Sequence, residues 1–370
     1  MKSIKYLSIT LLAAMMSCVN GIGTGDNRGG SDTTSADSVA KEEPAAKKRI
    51  IDTVTISMNG DMMLGSIQPN VIMPANDGKD LLRDCADIIR SADVACGNLE
   101  GVLADHGTTR KSPGPLSFSF MMPTRFVTLL TDAGYDFMGI ANNHIYDFYN
   151  EGVKSTIKTL QDAGIGVAGT KDCETAIKKI NGVKYGFCAF GHEDYSLKTQ
   201  DTATVKRIVT ELRKEVDIVI VGFHGGAEGT GCRHVPYGTE FFHNMNRGDV
   251  RQFAHLCIDC GADIVFGHGP HVPRGMELYH DHLIAYSLGN FATLGMSVTA
   301  QTGYAPLLVA RLDGNGKFID GKIYSFIQGF RTGPRRDASN AVPKDIRSLT
   351  LEDFKDNKLN IADDGTITRL

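Results

Sequence analysis

Two hydrophobic periodicities alternate along this chain. Short apolar runs such as Asp217–Phe223 and Asp263–Phe266 are rich in β-branched residues and have the length of buried strands. Between such runs lie stretches such as Glu151–Ala163 and Val250–Asp259, which place apolar residues at helical spacing and are closed by a glycine. The alternation of strand and helix patterns predicts an α/β fold.

The pattern changes near residue 275, where the helical periodicity disappears. Four successive strands are predicted at Gly275–Tyr279, His282–Ser287, Pro306–Leu312 and Lys317–Phe326. The tetrapeptide Asp313-Gly314-Asn315-Gly316 is a strong hairpin signal between the last two. Alternating strands and helices followed by antiparallel strands predict a mixed-sheet α/β sandwich. The folded domain is expected to span 51–330, followed by a polar C-terminal extension at 331–370 to which no function is assigned.

The N-terminal segment has the pattern of an export signal. Two lysines precede a short apolar run over 6–16, and Ser17 stands before Cys18. Residues 1–18 are therefore predicted as a signal peptide and are excluded from the fold. The tetrapeptide 15–18 resembles a bacterial lipobox, in which the cysteine is lipidated and becomes the new N-terminus. A plain secreted protein is the alternative.

Residues 19–50 are small and polar, with almost no large apolar side chain. Such a segment cannot bury enough surface to offset the entropy of ordering, so we predict a flexible tether. Two acyl chains on Cys18 would hold the chain at a membrane surface, and the tether would lift the domain from it. This predicts an exported, membrane-anchored lipoprotein of the bacterial cell envelope.

The net charge argues against a nucleic-acid-binding protein, and the cysteine content argues against a fold held by disulfides. The formal net charge is -4, so the chain has no basic footprint for nucleic acid. Seven cysteines follow Cys18, an odd number that argues against a complete disulfide framework. Cys257 and Cys260 have CxxC spacing but lie in a predicted helix without a second such pair. We therefore predict buried core thiols there, not a zinc or redox site.

Polar residues of the types that bind metals follow one predicted strand after another. The groups are Gly60-Asp61, Gly97-Asn98-Leu99-Glu100, Asn142-Asn143-His144 with Asp147, His224-Gly225-Gly226-Ala227-Glu228, and Gly267-His268-Gly269-Pro270-His271. Any one of these groups, taken alone, is explained equally well by a turn, a helix cap or a histidine whose hydrogen bonds are made within the protein. Open α/β sheets bind ligands at the carboxyl ends of their strands, so the five groups together predict one metal site.

The same motifs resemble those of a known family. They are Asn59-Gly60-Asp61-Met62-Met63-Leu64-Gly65, Gly97-Asn98-Leu99-Glu100, Ala141-Asn142-Asn143-His144-Ile145-Tyr146-Asp147, Gly267-His268-Gly269-Pro270-His271-Val272 and Tyr286-Ser287-Leu288-Gly289-Asn290-Phe291. As a set they look like the CapA family of poly-γ-glutamate capsule synthesis proteins. That family is similar to the calcineurin-like metallophosphoesterases, and the resemblance implies their four-layer fold of two mixed β-sheets sandwiched between helices.

The resemblance also implies a role for each polar residue. Metal ligands are expected at Asp61, Glu100, Asn143, His224, His268 and His271, with Glu100 bridging two ions. His144 is expected to be the general acid for the leaving group, and Asp147 would orient it. Histidine with carboxylate oxygen suits Mn, Zn or Fe, and one or two ions are expected. Met63 stands where the family carries a histidine ligand, which weakens the first of the two positions.

Substrate contacts are expected from neighbouring polar residues and from arginines that could pair with an anion. These residues are Asn98, Asn142, Glu228, Arg233, Arg274 and Asn290, and Arg247 is a third arginine that could pair with an anion. The expected partners are an anionic polymer or a small phosphorylated substrate, together with capsule synthesis proteins and the membrane. Two functions remain open. One is a metal-dependent hydrolase of a phosphoester or related bond; the other is a non-catalytic binding component of polyglutamate synthesis or export.

Overall fold

A computed structural model describes residues 52–370. The predicted signal peptide, the lipidation of Cys18 and the tether at 19–50 lie outside the described residues. Within the described part of the chain, no helix is both long and apolar enough to cross a membrane.

The described chain contains short strands and few helices. The strands are β1 (Thr53–Met63), β2 (Val94–Leu99), β3 (Val102–Leu103), β4 (Met121–Met122), β5 (Phe137–Gly139), β6 (Gly166–Ala168), β7 (Thr175–Ile180), β8 (Val183–Phe190), β9 (Ile218–His224), β10 (Glu240–Phe242), β11 (Met245–Gly248), β12 (Ile264–His268), β13 (Met276–Tyr279), β14 (His282–Ala285), β15 (Asn290–Thr293), β16 (Leu307–Asp313), β17 (Phe318–Tyr324), β18 (Phe326–Gly329), β19 (Gly333–Arg336), β20 (Leu359–Ile361) and β21 (Thr366–Arg369). The α-helices are α1 (Ala86–Ser91), α2 (Val127–Ala133), α3 (Tyr149–Asp162), α4 (Thr202–Glu215), α5 (Val250–Asp259) and α6 (Ala341–Asp353).

Two mixed sheets form the centre of the domain. The nine-stranded sheet has the order β20-β21-β17-β16-β1-β2-β5-β6, and β15 pairs in parallel with the end of β1. The six-stranded sheet has the order β13-β14-β12-β9-β8-β7. The strands that carry the predicted site, β1, β2 and β5 in one sheet and β9 and β12 in the other, run parallel to their neighbours within that set. Their carboxyl ends therefore lie at one end of each sheet.

Three apolar clusters show how the layers stack. One cluster joins α1, α2 and α3 to the outer face of the nine-stranded sheet, and another joins α4 and α5 to the outer face of the six-stranded sheet. The third lies between the sheets and contains Ile56, Phe137, Phe187 and Phe266, all fully buried. Burial of that much apolar surface between layers is the main favourable term in folding. The predicted four-layer sandwich of helices around two mixed sheets is confirmed.

The C-terminal segment differs from the prediction. Residues 331–370, expected to follow the domain as an extension, belong to the same compact unit. They supply β20 and β21 to the nine-stranded sheet, and α6 places Val342 and Ile346 in the cluster between the two sheets. Their polar, glycine-marked sequence hid this role, since strands of three and four residues and a weakly amphipathic helix carry little periodic signal. The predicted boundary at residue 330 therefore does not separate two parts of the fold.

Candidate metal centre

The end of β1 positions the first acidic residue of the site. The sequence predicts a strand that stops at Met58, but β1 continues to Met63 because β15 pairs with its last residues. Asp61 lies in this added part, and its backbone N–H donates to the carbonyl oxygen of Gly289 at 2.9 Å. A Cβ on Gly60 would lie 1.9 Å from the same oxygen. Only glycine fits this approach of the two chains.

Asp61, Glu100 and His224 bring one ligand atom each to within 4.8 Å of one another. Nε2 of His224 lies 3.5 Å from Oε1 of Glu100 and 4.0 Å from Oδ1 of Asp61. All three side chains are fully buried. Asp61 and Glu100 come from the nine-stranded sheet, whereas His224 ends β9 of the six-stranded sheet. The centre therefore spans the two sheets.

Two further histidines, at the end of β12 and in the loop after it, lie next to Asp61, Glu100 and His224. His268 ends β12 and is buried, and its Nδ1 has no hydrogen-bond partner among residues 52–370. His271 follows in the left-handed backbone region, at φ 59°. Its Nδ1 lies 3.1 Å from Oδ2 of Asp61, and its Nε2 lies 4.0 Å from Oε1 of Glu100. The strained backbone of His271 thus directs its ring at both carboxylates.

Asn143 is placed by its main chain. Its carbonyl oxygen accepts a hydrogen bond from the hydroxyl of Tyr195 at 2.9 Å, and its side-chain Oδ1 is buried without a partner in the described chain. Tyr195 was not predicted as part of the site. It lies 52 residues along the chain, and no sequence motif marks it. The amide oxygen of Asn143 is thus free of hydrogen bonds within the described chain, and its role as a ligand stays a prediction.

The donor set fits a divalent cation. Both carboxylate oxygens of Glu100 and both ring nitrogens of His224 are buried without a hydrogen-bond partner in the described chain. Buried polar atoms are normally hydrogen-bonded, and those that are not usually have a functional explanation. Oxygen from Asp61 and Glu100 with nitrogen from His224 and His268 is the mixture that Mn, Zn and Fe accept. The described residues thus contain the ligands that such an ion requires.

Electrostatics in the site favour a positive charge at its centre. Burial and the neighbouring Asp61 raise the pKa of Glu100 well above its usual value. Burial lowers the pKa of His268 to about 4, so this ring is neutral near pH 7 and able to ligate. Burial alone would also lower the pKa of His271, but Glu100, Asp61 and Glu228 raise it to about 10. A cation bound at this centre would balance the same negative charges.

His144 and Asp147 form a second arrangement beside the ligands. Nδ1 of His144 lies 2.7 Å from Oδ2 of Asp147, and Nε2 faces Oε1 of Glu100 at 3.8 Å. Asp147 is itself held by Nζ of Lys111 at 2.6 Å and by the backbone N–H of Phe120 at 3.1 Å. With Nδ1 donating to Asp147, His144 can accept or release a proton at Nε2. Lys111 was missed in the sequence because it lies in an irregular polar loop.

Three asparagines predicted to contact substrate are instead engaged in hydrogen bonds around the centre. Asn98 donates to Oδ1 of Asp61 at 2.8 Å, and Asn142 donates to Oδ1 of Asn98 at 3.1 Å. Oδ1 of Asn290 lies 3.0 Å from Nδ1 of His271. All three are fully buried. The structure brings them to the site, where they orient Asp61 and His271 as a ligand sphere needs.

Two of the three arginines predicted to pair with an anion, Arg233 and Arg274, are engaged elsewhere. Arg233 pairs with Asp345 of α6. Arg274 is fully buried and uses four of its five N–H donors, on both carboxylate oxygens of Glu240 and on the carbonyls of Cys232 and Ala227. Such a buried bidentate pair fixes the segments that carry Ala227, Cys232 and Glu240 relative to one another. The prediction of substrate contact is therefore not supported by the position of either arginine.

Glu228 does reach the site. Its Oε2 lies 4.0 Å from Nε2 of His271, and its Oε1 accepts a hydrogen bond from Arg247 at 2.7 Å.

Outside the site, Cys257 is buried and Cys260 half-buried, and both are free thiols. The predicted burial in the core therefore holds for Cys257 and not for Cys260.

Comparison with known proteins identifies the family. The model of the bacterial capsule synthesis protein family PGA_cap matches residues 55–294, a range that includes every candidate metal ligand. The chain belongs to this family. The match ends after β15, so the strands that complete the nine-stranded sheet lie beyond the part that the family model describes.

Two similar proteins are named for capsule or PGA biosynthesis. The capsule biosynthesis protein CapA of Bacillus anthracis is 27% identical over 66% of this chain and 61% of its own length. The PGA biosynthesis protein CapA of Bacillus subtilis is 27% identical over 68% of this chain and 66% of its own length. The chain thus spans about two thirds of the length of these relatives.

Solved structures similar to this chain include two enzymes. The calcineurin-like phosphoesterase YfkN from Bacillus subtilis is 12% identical, with a TM-score of 0.44 over 82% of this chain and 99% of that one. The 5'-nucleotidase precursor from Thermus thermophilus is 13% identical, with a TM-score of 0.43 over 76% of this chain and 56% of that one.

Proposed function

We propose that this protein is a metal-dependent hydrolase of a phosphoester or a related bond. One observation carries the proposal: unpartnered, buried ligand atoms of Glu100 and His224 lie beside a histidine whose reactive nitrogen faces the same point. A protein that only binds a polymer has no use for a proton-transfer group held at 3.8 Å from a ligand. Catalysis explains the pair formed by His144 and Asp147.

The chain's own groups divide the work. Asp61, Glu100, Asn143, His224, His268 and His271 would hold one or two ions of Mn, Zn or Fe. A bound divalent cation supplies Lewis acidity at such a centre. Nε2 of His144 delivers a proton to the leaving oxygen, and Asp147 holds the ring in the orientation and tautomer that this transfer needs. The surrounding asparagines keep Asp61 and His271 in place.

The biological setting is an inference from relatives. Proteins named for capsule and PGA biosynthesis are similar to this chain, which supports an anionic polymer such as poly-γ-glutamate, or a small phosphorylated precursor, as the substrate. The N-terminal sequence supports an envelope lipoprotein attached through Cys18. Changing Cys18 to Ala should move the protein from the membrane to the soluble fraction. An unchanged membrane fraction would refute the lipid anchor.

The test of catalysis uses the compact unit, residues 48–370. The purified protein is analysed for bound metal and assayed on a generic aryl phosphate with Mn, Zn or Fe added. Turnover that requires the metal supports the hydrolase. Protein that binds metal but stays inert on phosphoesters and related bonds favours the alternative, a non-catalytic component that binds an anionic polymer.

A further inference from the structure

Arg247 is a buried arginine at the edge of the metal centre, and its side chain is 1% exposed. Nε donates to the carbonyl oxygen of Gly226 at 3.0 Å, and Nη1 donates to Oε1 of Glu228 at 2.7 Å. Nη2 is buried and has no hydrogen-bond partner among residues 52–370. A guanidinium has two N–H donors on that nitrogen, and leaving them unmade in a buried place is costly. One edge of Arg247 is therefore preorganised for an acceptor.

The position of Arg247 relative to the ligands follows from its partners. Gly226 lies two residues after His224, and its N–H donates to the carbonyl oxygen of Arg247 at 2.9 Å. Glu228, paired with Arg247, also lies 4.0 Å from Nε2 of His271. The guanidinium is therefore hydrogen-bonded to the loop that directly follows His224 and to the carboxylate that faces His271.

The charges of the site create a need for such a cation. The carboxylates of Asp61, Glu100 and Glu228 converge here, and they repel a negatively charged substrate. Arginine is suited to this task because its planar fork binds the paired oxygens of phosphate or carboxylate and keeps its charge when buried. Arg233 and Arg274, the other two arginines expected from the sequence to pair with an anion, are committed to Asp345 and Glu240.

We propose that Arg247 binds an oxyanion of the substrate through Nη2, beside the metal centre, and that Glu228 holds the opposite edge of the guanidinium. This inference depends on the proposed function in one respect, which is that a divalent cation is bound at the centre. The substrate is then one that carries a phosphate or a carboxylate next to the bond that is attacked. The two anions offer the same paired oxygens, so separate probes are needed to tell them apart.

The test measures anion affinity, which does not depend on turnover. Inorganic phosphate and acetate are titrated separately into the Mn-loaded protein by calorimetry, for the wild type and for Arg247→Gln. We expect the affinity for at least one anion to fall about tenfold, since a hydrogen bond to a charged group of this kind contributes roughly 1.4 kcal/mol or more. The anion that loses affinity identifies the chemistry. Metal content, measured on the same samples, should not change.

A second variant separates binding from support. Glu228→Gln removes a carboxylate that competes for Arg247 but keeps its shape. If Arg247 contacts the anion, this variant should bind phosphate or acetate at least as tightly as the wild type. If Arg247 serves only to hold Glu228, then Glu228→Gln and Arg247→Gln should weaken anion binding equally, which would overturn the proposal.

Three other outcomes also decide the matter. Unchanged affinity for both anions in Arg247→Gln, with normal metal content, contradicts the proposal. Loss of metal in the same variant contradicts it too, because Arg247 would then act on the ligands. If Arg247→Gln does not fold, Arg247→Lys replaces it; the lysine keeps the charge but not the fork, so an affinity equal to the wild type would count against a guanidinium contact. Loss of aryl phosphate turnover alone tests only the hydrolase.

Discussion

Nδ1 of His144 lies 2.7 Å from Oδ2 of Asp147, and this contact turns the opposite nitrogen toward Glu100. Since Asp147 is held in turn by Lys111 and by the backbone of Phe120, the ring has one orientation relative to the ligands. In the proposed mechanism, this arrangement separates two tasks that one histidine could not perform together: His144 would transfer a proton, and His224 and His268 would provide ligand nitrogen.

His144→Asn should abolish most turnover and spare the metal. The loss of a positioned acid or base lowers kcat by about 10²–10⁴-fold, and the unpartnered ligand atoms of Glu100 and His224 are untouched. Asp147→Asn is the matched variant, because it keeps the ring but not its orientation, and its kcat should fall less. The measurements are kcat on an aryl phosphate and metal content by mass spectrometry. Equal loss of metal and activity in His144→Asn would make this residue a ligand.

Glu100→Gln should remove the stabilisation that metal gives. A ligand that binds only the folded state stabilises it by about 2.7 kcal/mol at a concentration 100 times its Kd. The amide has nearly the shape of the carboxyl group, so Tm in a chelator should stay close to that of the wild type. The check is the rise in Tm when Mn is added, which we expect for the wild type and not for the variant. A full rise in the variant would show that Glu100 is not a ligand.

Arg274→Met should destabilise the fold without emptying the metal centre. The variant leaves Glu240 as an unpaired buried carboxylate, which costs about 3–5 kcal/mol when one partner of a buried pair is removed. The double variant with Glu240→Leu should recover much of that loss. Urea denaturation gives the free energy of unfolding, and anion titration provides the contrast. Stability equal to the wild type together with weaker anion binding would return Arg274 to the substrate contacts predicted from sequence.

Ile346→Ala should show that the C-terminal segment belongs to the fold. Ile346 of α6 is fully buried between the sheets, and removing such a side chain costs about 2–5 kcal/mol. Leu351→Ala on the same helix is the control, because that side chain is 59% exposed and its loss should be nearly neutral. Both are compared by urea denaturation. A neutral Ile346→Ala would mean that α6 is dispensable for the sandwich.

The sequence reveals the site more fully than it reveals the sheets around it. Asp61, Glu100, His224 and His268 could be found because each stands at or near the end of a predicted strand beside glycine, and His271 follows in the same short motif as His268. The convergence of parallel strand ends then follows from general geometry. Lys111 and Tyr195 carry no such signal, since their positions depend on how loops return to the centre. Arg247 is marked in the sequence only as one of three arginines that could pair with an anion, and nothing there distinguishes it from the other two. Contacts between residues far apart in the chain are set by tertiary packing and leave no local pattern.

The same limit explains the strands that were missed. Thr175–Ile180 alternates exposed and half-buried residues at the edge of its sheet, and Leu359–Ile361 has only three residues. Neither offers enough apolar positions to stand out from a loop. By contrast, Val250–Asp259 was predicted with its observed bounds, because its apolar face is regular and Asp249 caps its N-terminus.

The ligands come from two different sheets, and this has a mechanical consequence. Asp61 and Glu100 belong to one layer and His224 and His268 to the other, joined directly by the N–H of Gly269 donating to Asp61 at 3.1 Å. An ion held by both would act as a cross-link between the layers and would suppress sliding of one against the other. Metal binding should therefore slow amide hydrogen exchange at the ends of β1, β9 and β12 together. The candidate metal centre would then also stabilise the packing of the two sheets against each other.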